Sequence, residues 1–302
     1  MSYLEEITCF LFIFMVELIS WIKYRIQLQR VIKVLIDFHV HTFPESIADK
    51  ALSVLLRNMR ETYNIDQKLY YGGTPELLLE DMNKCGVDIS VVMPIATKVT
   101  QYKTINSFAK SIQTNRIISF ASLHPYQENV DGVLCEIEKN NFKGIKLHPD
   151  YQGVRADDEK FIYLVRKATE KGLYVTIHSG EDTGIKPPFC GTVDKMKTLI
   201  NKVDDSFLIL AHMGAFNQWD EVEELFSDTN AYFDTSVVSR FIDINQYKRI
   251  IEKHGADKIL FGSDSPWESP VDTLEFLRKS GVSDEVVDLI TYKNAEKILG
   301  IG

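Results

Sequence analysis

From residue 34 to the C terminus, short hydrophobic runs alternate with longer stretches that have helical periodicity. One amphipathic helix, ended by Gly172, is indicated by the i, i+3, i+4, i+7 spacing of Phe161, Leu164, Val165 and Ala168. Apolar runs that alternate with such helices are typical of βαβ units around a parallel sheet. The pattern therefore predicts an α/β fold.

Eight hydrophobic runs have the length and composition of buried strands, at 34–42, 89–94, 117–123, 144–147, 173–177, 207–211, 231–234 and 259–262. Helices are predicted between and after them, including 47–62, 101–114, 128–140 and 284–299. Thr74-Pro75 begins a further helix that Gly86 ends. Strands that are each followed by a helix predict a (β/α)8 TIM barrel over residues 34–302. The alternative, an open doubly wound sheet, does not explain why polar residues end so many strands.

Residues 1–33 form an N-terminal extension whose apolar run, residues 7–22, is expected to be helical. The run is short for a bilayer span, contains Glu17 and is not followed by the small-residue cleavage site of a secreted protein. It is a membrane anchor, a helix that packs on the barrel or touches a membrane surface, or read-through before a natural start near Val34. We favour the last two interpretations, neither of which assigns chemistry to the segment.

Composition limits the partners. The chain has 302 residues and a formal net charge of −9, which argues against nucleic acid or an anionic membrane as the main partner. The four cysteines are far apart and form no C-x-x-C pair, a pattern that favours free thiols in a cytoplasmic protein and no thiolate metal site. We expect a small-molecule substrate, and a homo-oligomer is compatible with the sequence.

Histidine is concentrated at the predicted C-terminal ends of the strands. His39 and His41 are one residue apart, so the alternation of a strand places both rings on one face, where they can bind one metal ion. Six of the 7 histidines end a predicted strand: His39, His41, His124, His148, His178 and His212. Asp264 ends the eighth strand. Because these strand ends meet at one mouth of a barrel, they predict a site for zinc or a similar divalent ion.

Five segments in this order resemble the amidohydrolase superfamily, in its amidohydrolase-related branch of metal-dependent barrels. The matching segments are Asp37-Phe38-His39-Val40-His41, GIKLHP at 144–149, IHSG at 177–180, LAHMG at 210–214 and FGSDSP at 261–266. The resemblance extends over residues 34–302 and does not include the N-terminal extension.

The resemblance implies a role for each matching position. The implied metal ligands are His39, His41, His178 and Asp264, around one divalent ion, for which Zn²⁺ is the first choice and beside which a second ion is left open. His212 is implied to steer or deprotonate a metal-bound water, or to polarise the substrate. Asp264 is the second implied catalytic residue, because a His or Asp near the metal can take the proton. Glu181 and Asp182 closely follow His178 and are candidates to orient it.

Four further residues are candidate substrate contacts. Lys146 is on the strand where binuclear members of the superfamily carry a carboxylated, bridging lysine, but it lies two residues before the strand end. We favour one metal, with Lys146 as a buried cation or substrate contact. His148 is open between a substrate donor, a further ligand and a cap on Pro149. His124 either fixes a turn or touches the substrate, and Arg240 either clamps a substrate carboxylate or forms an ion pair.

These observations predict a metal-dependent hydrolase that activates a metal-bound water for attack on a C–N or C–O bond of a small carboxylated or cyclic molecule. The alternative for the same site is non-oxidative decarboxylation, as in members similar to aminocarboxymuconate-semialdehyde decarboxylase. A third hypothesis is a non-catalytic protein that binds metal or is tethered to a membrane. A nuclease is disfavoured because no basic patch surrounds the motifs.

Overall fold

A computed structural model describes residues 34–301, which contain eight parallel strands. The strands are Ile36–Val40 (β1), Ile89–Val92 (β2), Ile117–Ser119 (β3), Gly144–Leu147 (β4), Tyr174–Ile177 (β5), Leu208–Leu210 (β6), Tyr232–Asp234 (β7) and Ile259–Leu260 (β8). Strands β1 to β3 pair in order, as do β4 to β8. Bridges between Ala121 and Ile145 and between Val40 and Ser265 join the two sheets at both edges. The predicted (β/α)8 barrel is thereby confirmed.

Helices follow the strands around the barrel. They are Glu45–Tyr63 (α1), Pro75–Cys85 (α2), Tyr102–Ser111 (α3), Val130–Lys139 (α4), Pro149–Gln152 (α5), Glu159–Thr169 (α6), Val193–Ile200 (α7), Trp219–Leu225 (α8), Ile244–His254 (α9), Pro270–Lys279 (α10), Asp284–Asp288 (α11) and Asn294–Leu299 (α12). Short 3-10 turns lie at Val99–Gln101, Asp205–Phe207 and Ala256–Lys258, and a π-helical turn at Leu289–Lys293 joins α11 to α12. Strand β3 is shorter than predicted; beyond Ser119, Phe120 N still donates to Val92 O at 3.0 Å, and Ala121 forms an isolated bridge with Ile145.

The two faces of β1 carry different kinds of side chain. On one face, the ring of Phe38 packs edge-on against Phe120, with ring centroids 5.7 Å apart. Because side chains alternate along a strand, Asp37 and His39 point to the other face, and both are buried there. The apolar face therefore packs in the core, and the polar face carries residues that are candidates for the site at the barrel mouth.

Barrel closure between β1 and the segment after β8 rests on backbone hydrogen bonds. Phe38 N donates to Phe261 O, Asp264 N donates to His39 O and His41 N donates to Ser265 O, each at 2.8 Å. These bonds fix the register of the two segments. Asp264 is consequently held next to the two histidines of β1.

The segment between residues 43 and 73, which contains α1, leaves the barrel and returns to it at one narrow neck. At this neck, Phe43 N donates to Gly73 O at 2.7 Å, and the hydroxyl of Thr42 donates to the same carbonyl at 2.9 Å. The helix therefore lies beside the mouth, directly after the strand that carries His39.

The predicted N-terminal extension, including the apolar run at 7–22, lies outside the described residues. Within residues 34–301, no helix is both long enough and apolar enough to cross a membrane. Cytoplasmic location, membrane contact through the extension and homo-oligomer formation stay predictions from the sequence.

Gly180, which follows β5, has a backbone conformation and surroundings that leave no room for a side chain. Its φ is +90°, and a Cβ there would lie 2.3 Å from both the N and O atoms of Phe216. Gly172 also has positive φ, at +71°, but nothing lies within 4 Å of its Cβ position. We expect Gly180→Ala to lower the free energy of unfolding by about 2–4 kcal/mol, because strain and backbone clash add. Gly172→Ala should cost about 1 kcal/mol. Urea unfolding of both variants checks this, and equal losses would contradict it.

Candidate active site

A cavity of about 820 Å³ opens at the C-terminal ends of the strands. It is lined by eight residues of the predicted site: His39, His41, Lys146, His148, His178, His212, Arg240 and Asp264. The ninth, His124, is not among its lining residues. Its Nε2 donates to Gln152 O at 2.9 Å and its Nδ1 accepts from Tyr126 N at 3.1 Å, so the backbone occupies both ring nitrogens.

Three of the predicted metal ligands are already gathered. One ligand atom from each of His39, His41 and Asp264 lies within 4.8 Å of the others. Oδ1 of Asp264 is 2.9 Å from Nε2 of His41 and 3.7 Å from Nε2 of His39. Although Oδ1 is buried, neither contact has hydrogen-bond geometry. Ligands that share a divalent ion at about 2.0–2.2 Å are separated by similar distances, so this donor set fits a first-row metal ion.

Asp234, at the end of β7, holds His39 in this position. Its Oδ2 accepts a hydrogen bond from His39 Nδ1 at 2.7 Å, which leaves the Nε2 lone pair for Lys146 Nζ or for a metal ion. Its Oδ1 accepts from the backbone N of His212 at 2.9 Å and of Ser236 at 3.1 Å. Sequence reasoning assigned no role to Asp234; its position at a strand end was the available signal.

Burial and charge set the protonation states around these ligands. Burial, and then the nearby charge of Lys146, lower the pKa of His39 to about 4, so the ring is neutral at pH 7 and able to bind a metal. Burial also lowers the pKa of Lys146 to about 8. Burial alone would raise the pKa of Asp264, but attraction to His39 and His41 outweighs it and holds this pKa well below the usual range.

Lys146 lies inside the cluster of ligands. It is 1% exposed, and its Nζ lies 3.1 Å from Nε2 of His39. Lys146 is thus buried and lines the cavity, and its roles as a buried cation and as a substrate contact both stay predictions.

The rings of His178 and His212 face each other with their backbone partners on the far sides. Nδ1 of His212 lies 2.9 Å from Ser236 O, and Nε2 of His178 lies 3.1 Å from Glu181 O. A carbonyl oxygen only accepts, so each of these nitrogens carries a hydrogen. The remaining nitrogens, Nε2 of His212 and Nδ1 of His178, are 3.0 Å apart, within hydrogen-bond distance of each other. This pair is therefore suited to share a proton or to bind a cation.

Local backbone geometry also marks this region. His212 has φ 62° and Asp264 has φ 61°, a left-handed conformation that is uncommon for residues other than glycine. Val237, which is β-branched and lines the cavity, has φ 57°. Such strained positions concentrate at functional sites, where the surrounding structure enforces them.

His148, His178 and Asp182 make a second group whose ligand atoms lie within 4.8 Å of one another. Nδ1 of His148 accepts from Tyr151 N at 3.3 Å and thereby caps α5. Its Nε2 then carries the hydrogen and lies 3.2 Å from Oδ2 of Asp182. Both ring nitrogens are engaged, which agrees with the capping role and makes this group a weaker metal site than the first. Asp182 lies closer to His148 than to His178, the ring that it was expected to orient.

Arg240 stands at the cavity with its side chain 43% exposed. Its Nη2 donates to Oε1 of Gln67 at 3.0 Å, and its Nε lies 3.9 Å from Oε2 of Glu268. Glu268 is 1% exposed and also accepts from Thr273 Oγ1 at 2.8 Å. A loose ion pair therefore holds Arg240 at the mouth without occupying all of its donors.

Glu268 makes the stability of the protein depend on pH. Burial raises its pKa to about 7, so the folded state keeps a proton between about pH 4.5 and 7 that the unfolded state has released. Its contribution to stability is thus full below pH 4.5 and is lost as the pH rises through 7. We expect Glu268→Gln, compared with wild type by urea unfolding, to gain relative stability across this window. Exposed Glu224→Gln should follow the wild-type profile; a flat difference for Glu268→Gln would contradict the prediction.

Comparison with known proteins adds to this geometry. The amidohydrolase family profile matches residues 36–301. No curated protein matches the sequence at a significant level. The fold is similar to that of 5-carboxyvanillate decarboxylase from Sphingomonas paucimobilis, with a TM-score of 0.64 at 17% identity, covering 89% of this chain and 99% of that one.

Two other solved structures are also similar. The manganese complex of 5-carboxyvanillate decarboxylase from Novosphingobium aromaticivorans has a TM-score of 0.64 at 16% identity, over 89% of this chain and 96% of that one. A probable 2-pyrone-4,6-dicarboxylic acid hydrolase from Acinetobacter baumannii has a TM-score of 0.60 at 14% identity, over 88% and 99%. At these identities the likeness establishes the fold, while the family match extends over nearly all the described residues. The chain therefore belongs to the amidohydrolase family of metal-dependent enzymes.

Proposed function

We propose that this protein is a hydrolase that uses one divalent metal ion to cleave a C–N or C–O bond in a small carboxylated molecule. The observation that carries the proposal is the position of His212: Nδ1 donates to Ser236 O, and Nε2, 3.0 Å from Nδ1 of His178 in a residue that lines the cavity, is the nitrogen that would accept a proton. Hydrolysis requires a base, because the attacking water must lose a proton.

The metal would be held by His39, His41 and Asp264, with His178 as the fourth ligand through its Nδ1 lone pair. The first three are gathered already, and the carbonyl of Glu181 fixes the ring state of His178. Neutral imidazoles with one carboxylate suit Zn²⁺, and Mn²⁺ is the ion named in a structurally similar decarboxylase. When bound, such an ion supplies a Lewis acid that makes water a stronger acid.

The chain's own groups then move the proton. His212 accepts it at Nε2, and the imidazolium is stabilised because its Nδ1–H already donates to Ser236 O at 2.9 Å. The same Nε2–H returns the proton to the leaving nitrogen or oxygen. Asp264, which is held ionised, balances the positive charge that develops between the rings.

Cationic side chains would position the substrate carboxylate. Arg240 retains free donors at the mouth, and Lys146 lies deeper in the cavity beside His39. His148 has both ring nitrogens engaged, by Tyr151 N and by Asp182, so we assign it the capping role and no substrate contact. His124, with both nitrogens engaged by backbone groups, retains only the turn role that the sequence offered as its alternative.

Decarboxylation is the second candidate, and the cavity walls favour it. Hydrophobic side chains such as Ile95, Phe108 and Trp267 line the cavity, and a carboxylate in apolar surroundings loses CO₂ more readily because its charge disperses. His212, after taking a proton from water at Nε2, would deliver that proton to the carbon that loses CO₂. Two of the similar structures are also decarboxylases.

Mass balance separates the two reactions. Zn²⁺- or Mn²⁺-loaded protein would be screened with lactones, amides and aromatic acids in ¹⁸O-labelled water. Hydrolysis places ¹⁸O in the product, whereas decarboxylation releases CO₂ and adds no water oxygen. Product formation without ¹⁸O would overturn the proposed hydrolysis.

Replacement of Asp264 by Asn tests the metal site together with catalysis. The amide loses the negative charge that the ion and the imidazolium need, so we expect turnover of the identified substrate to fall by about a thousandfold. Steady-state kinetics at saturating Zn²⁺ measures this effect. Turnover at the wild-type rate would show that Asp264 does not have the proposed role.

Replacement of Asp234 by Asn tests the support of His39. We expect metal affinity to fall about 10- to 100-fold, because an amide holds the ring less firmly and lowers its basicity. Isothermal titration with Zn²⁺ measures the change. Asp228→Asn, at an exposed surface position, is the matched control and should bind as wild type. Unchanged affinity in Asp234→Asn would remove Asp234 from the metal centre.

A further inference from the structure

Helix α1 carries more hydrophobic surface than its own packing requires. Ala48 and Leu52 are 2% and 3% exposed and attach the helix to the protein. A second set, spaced at i, i+4, i+7, i+8 and i+12, lines the cavity: Ile47, Ala51, Val54, Leu55 and Met59. The buried residues already supply the apolar stripe that a surface helix needs. The second stripe therefore requires a different explanation.

The second stripe remains open to solvent in part. Ile47 is 48% exposed and Val54 is 38% exposed. From α1 and α3 together, Lys50 is the one charged residue that lines the cavity. The other charged lining residues belong to the barrel strands or to the segments after them: Lys146, Glu181, Asp182, Arg240 and Asp264. Ile105 and Phe108 of α3 add further apolar surface to the lining. Two helices thus present apolar surface to the same space that the strand ends reach.

The cavity is also large for a small acid. Pockets of about 300–1,000 Å³ accommodate drug-sized ligands, and this one is about 820 Å³. A carboxylate with its reacting bond, placed between His212 and Lys146, needs a small part of that volume. The remaining space is bounded by the stripe on α1, so it suits an apolar group that is attached to the reacting head.

We propose that the substrate carries an extended hydrophobic substituent, an alkyl chain of several carbons, which lies against the second stripe of α1. The proposal rests on the proposed function in placing the polar head at the metal site. The occupant is part of the substrate because the stripe and the ligand cluster line one continuous cavity. Binding would remove the exposed faces of Ile47 and Val54 from water.

Binding of 4-alkylbenzoates, from methyl to octyl, to the Mn²⁺-loaded protein tests this directly by isothermal titration calorimetry. We expect affinity to rise about three- to fourfold per added methylene, the gain from burying each CH₂, at one ligand per chain. Val54→Asp, which places a charge on the stripe, should abolish this dependence on chain length.

Leu77→Asp is the matched control. Leu77 is 37% exposed, close to the 38% of Val54, but it lies on α2 and does not line the cavity. This variant should keep the wild-type dependence, and circular dichroism verifies that both variants are folded. Flat or falling affinity with chain length in wild type, or an unchanged slope in Val54→Asp, would overturn the proposal.

The experiments distinguish failure of the proposed hydrophobic substituent from failure of the proposed reaction. If the alkyl series binds with the expected slope while the loaded enzyme hydrolyses none of the lactones and amides in the screen, the proposed hydrophobic substituent stands and the proposed hydrolysis falls. If short acids or lactones turn over while chain length has no effect on binding affinity, the proposed function is supported and the proposed hydrophobic substituent is wrong.

Discussion

Barrel closure is the constraint on which the site depends. His39 and His41 come from the first strand and Asp264 from the segment after the last, so they meet only where the two ends of the sheet join. The closing bonds run through the same residues: Asp264 N to His39 O and His41 N to Ser265 O. Backbone pairing and ligand geometry are therefore one arrangement. A shift in register at this seam would separate the ligands even if every side chain were intact.

Asp234 extends that constraint to the catalytic side of the mouth. One carboxylate accepts from the ring of His39 and from the backbone N of His212. Burial alone would raise its pKa, but attraction to His39 and the hydrogen bond from that ring outweigh burial and keep this pKa far below the usual range. The buried charge is thus compensated, and the left-handed backbone of His212 is fixed by the same group. The proposed metal ligand His39 and the proposed base His212 therefore depend on the same carboxylate.

Much of the fold could be predicted from the sequence because hydrophobic period, helix caps and strand-end polarity are local signals. The faces of β1 follow from alternation alone, which placed His39 and His41 together. The contacts of Asp234, Glu268 and His124 could not be predicted, because each depends on a partner brought near by folding: a ring on another strand, an arginine at the mouth and a backbone carbonyl after β4. Which nitrogen of His178 is free depends likewise on the loop that supplies Glu181 O.

The neck at Phe43 and Gly73 sets the segment that contains α1 apart from the barrel strands. The chain leaves the barrel and returns to it at these two residues, where the carbonyl of Gly73 accepts two hydrogen bonds. Within the segment, Tyr70 N also donates to Pro266 O at 3.0 Å. A segment whose ends already meet can change in length or composition at a low entropic cost to the rest of the fold. Evolution can therefore change the wall of the cavity that α1 forms, and with it the range of molecules that enter the cavity. Strand β1, which carries His39 and adjoins His41, stays unchanged.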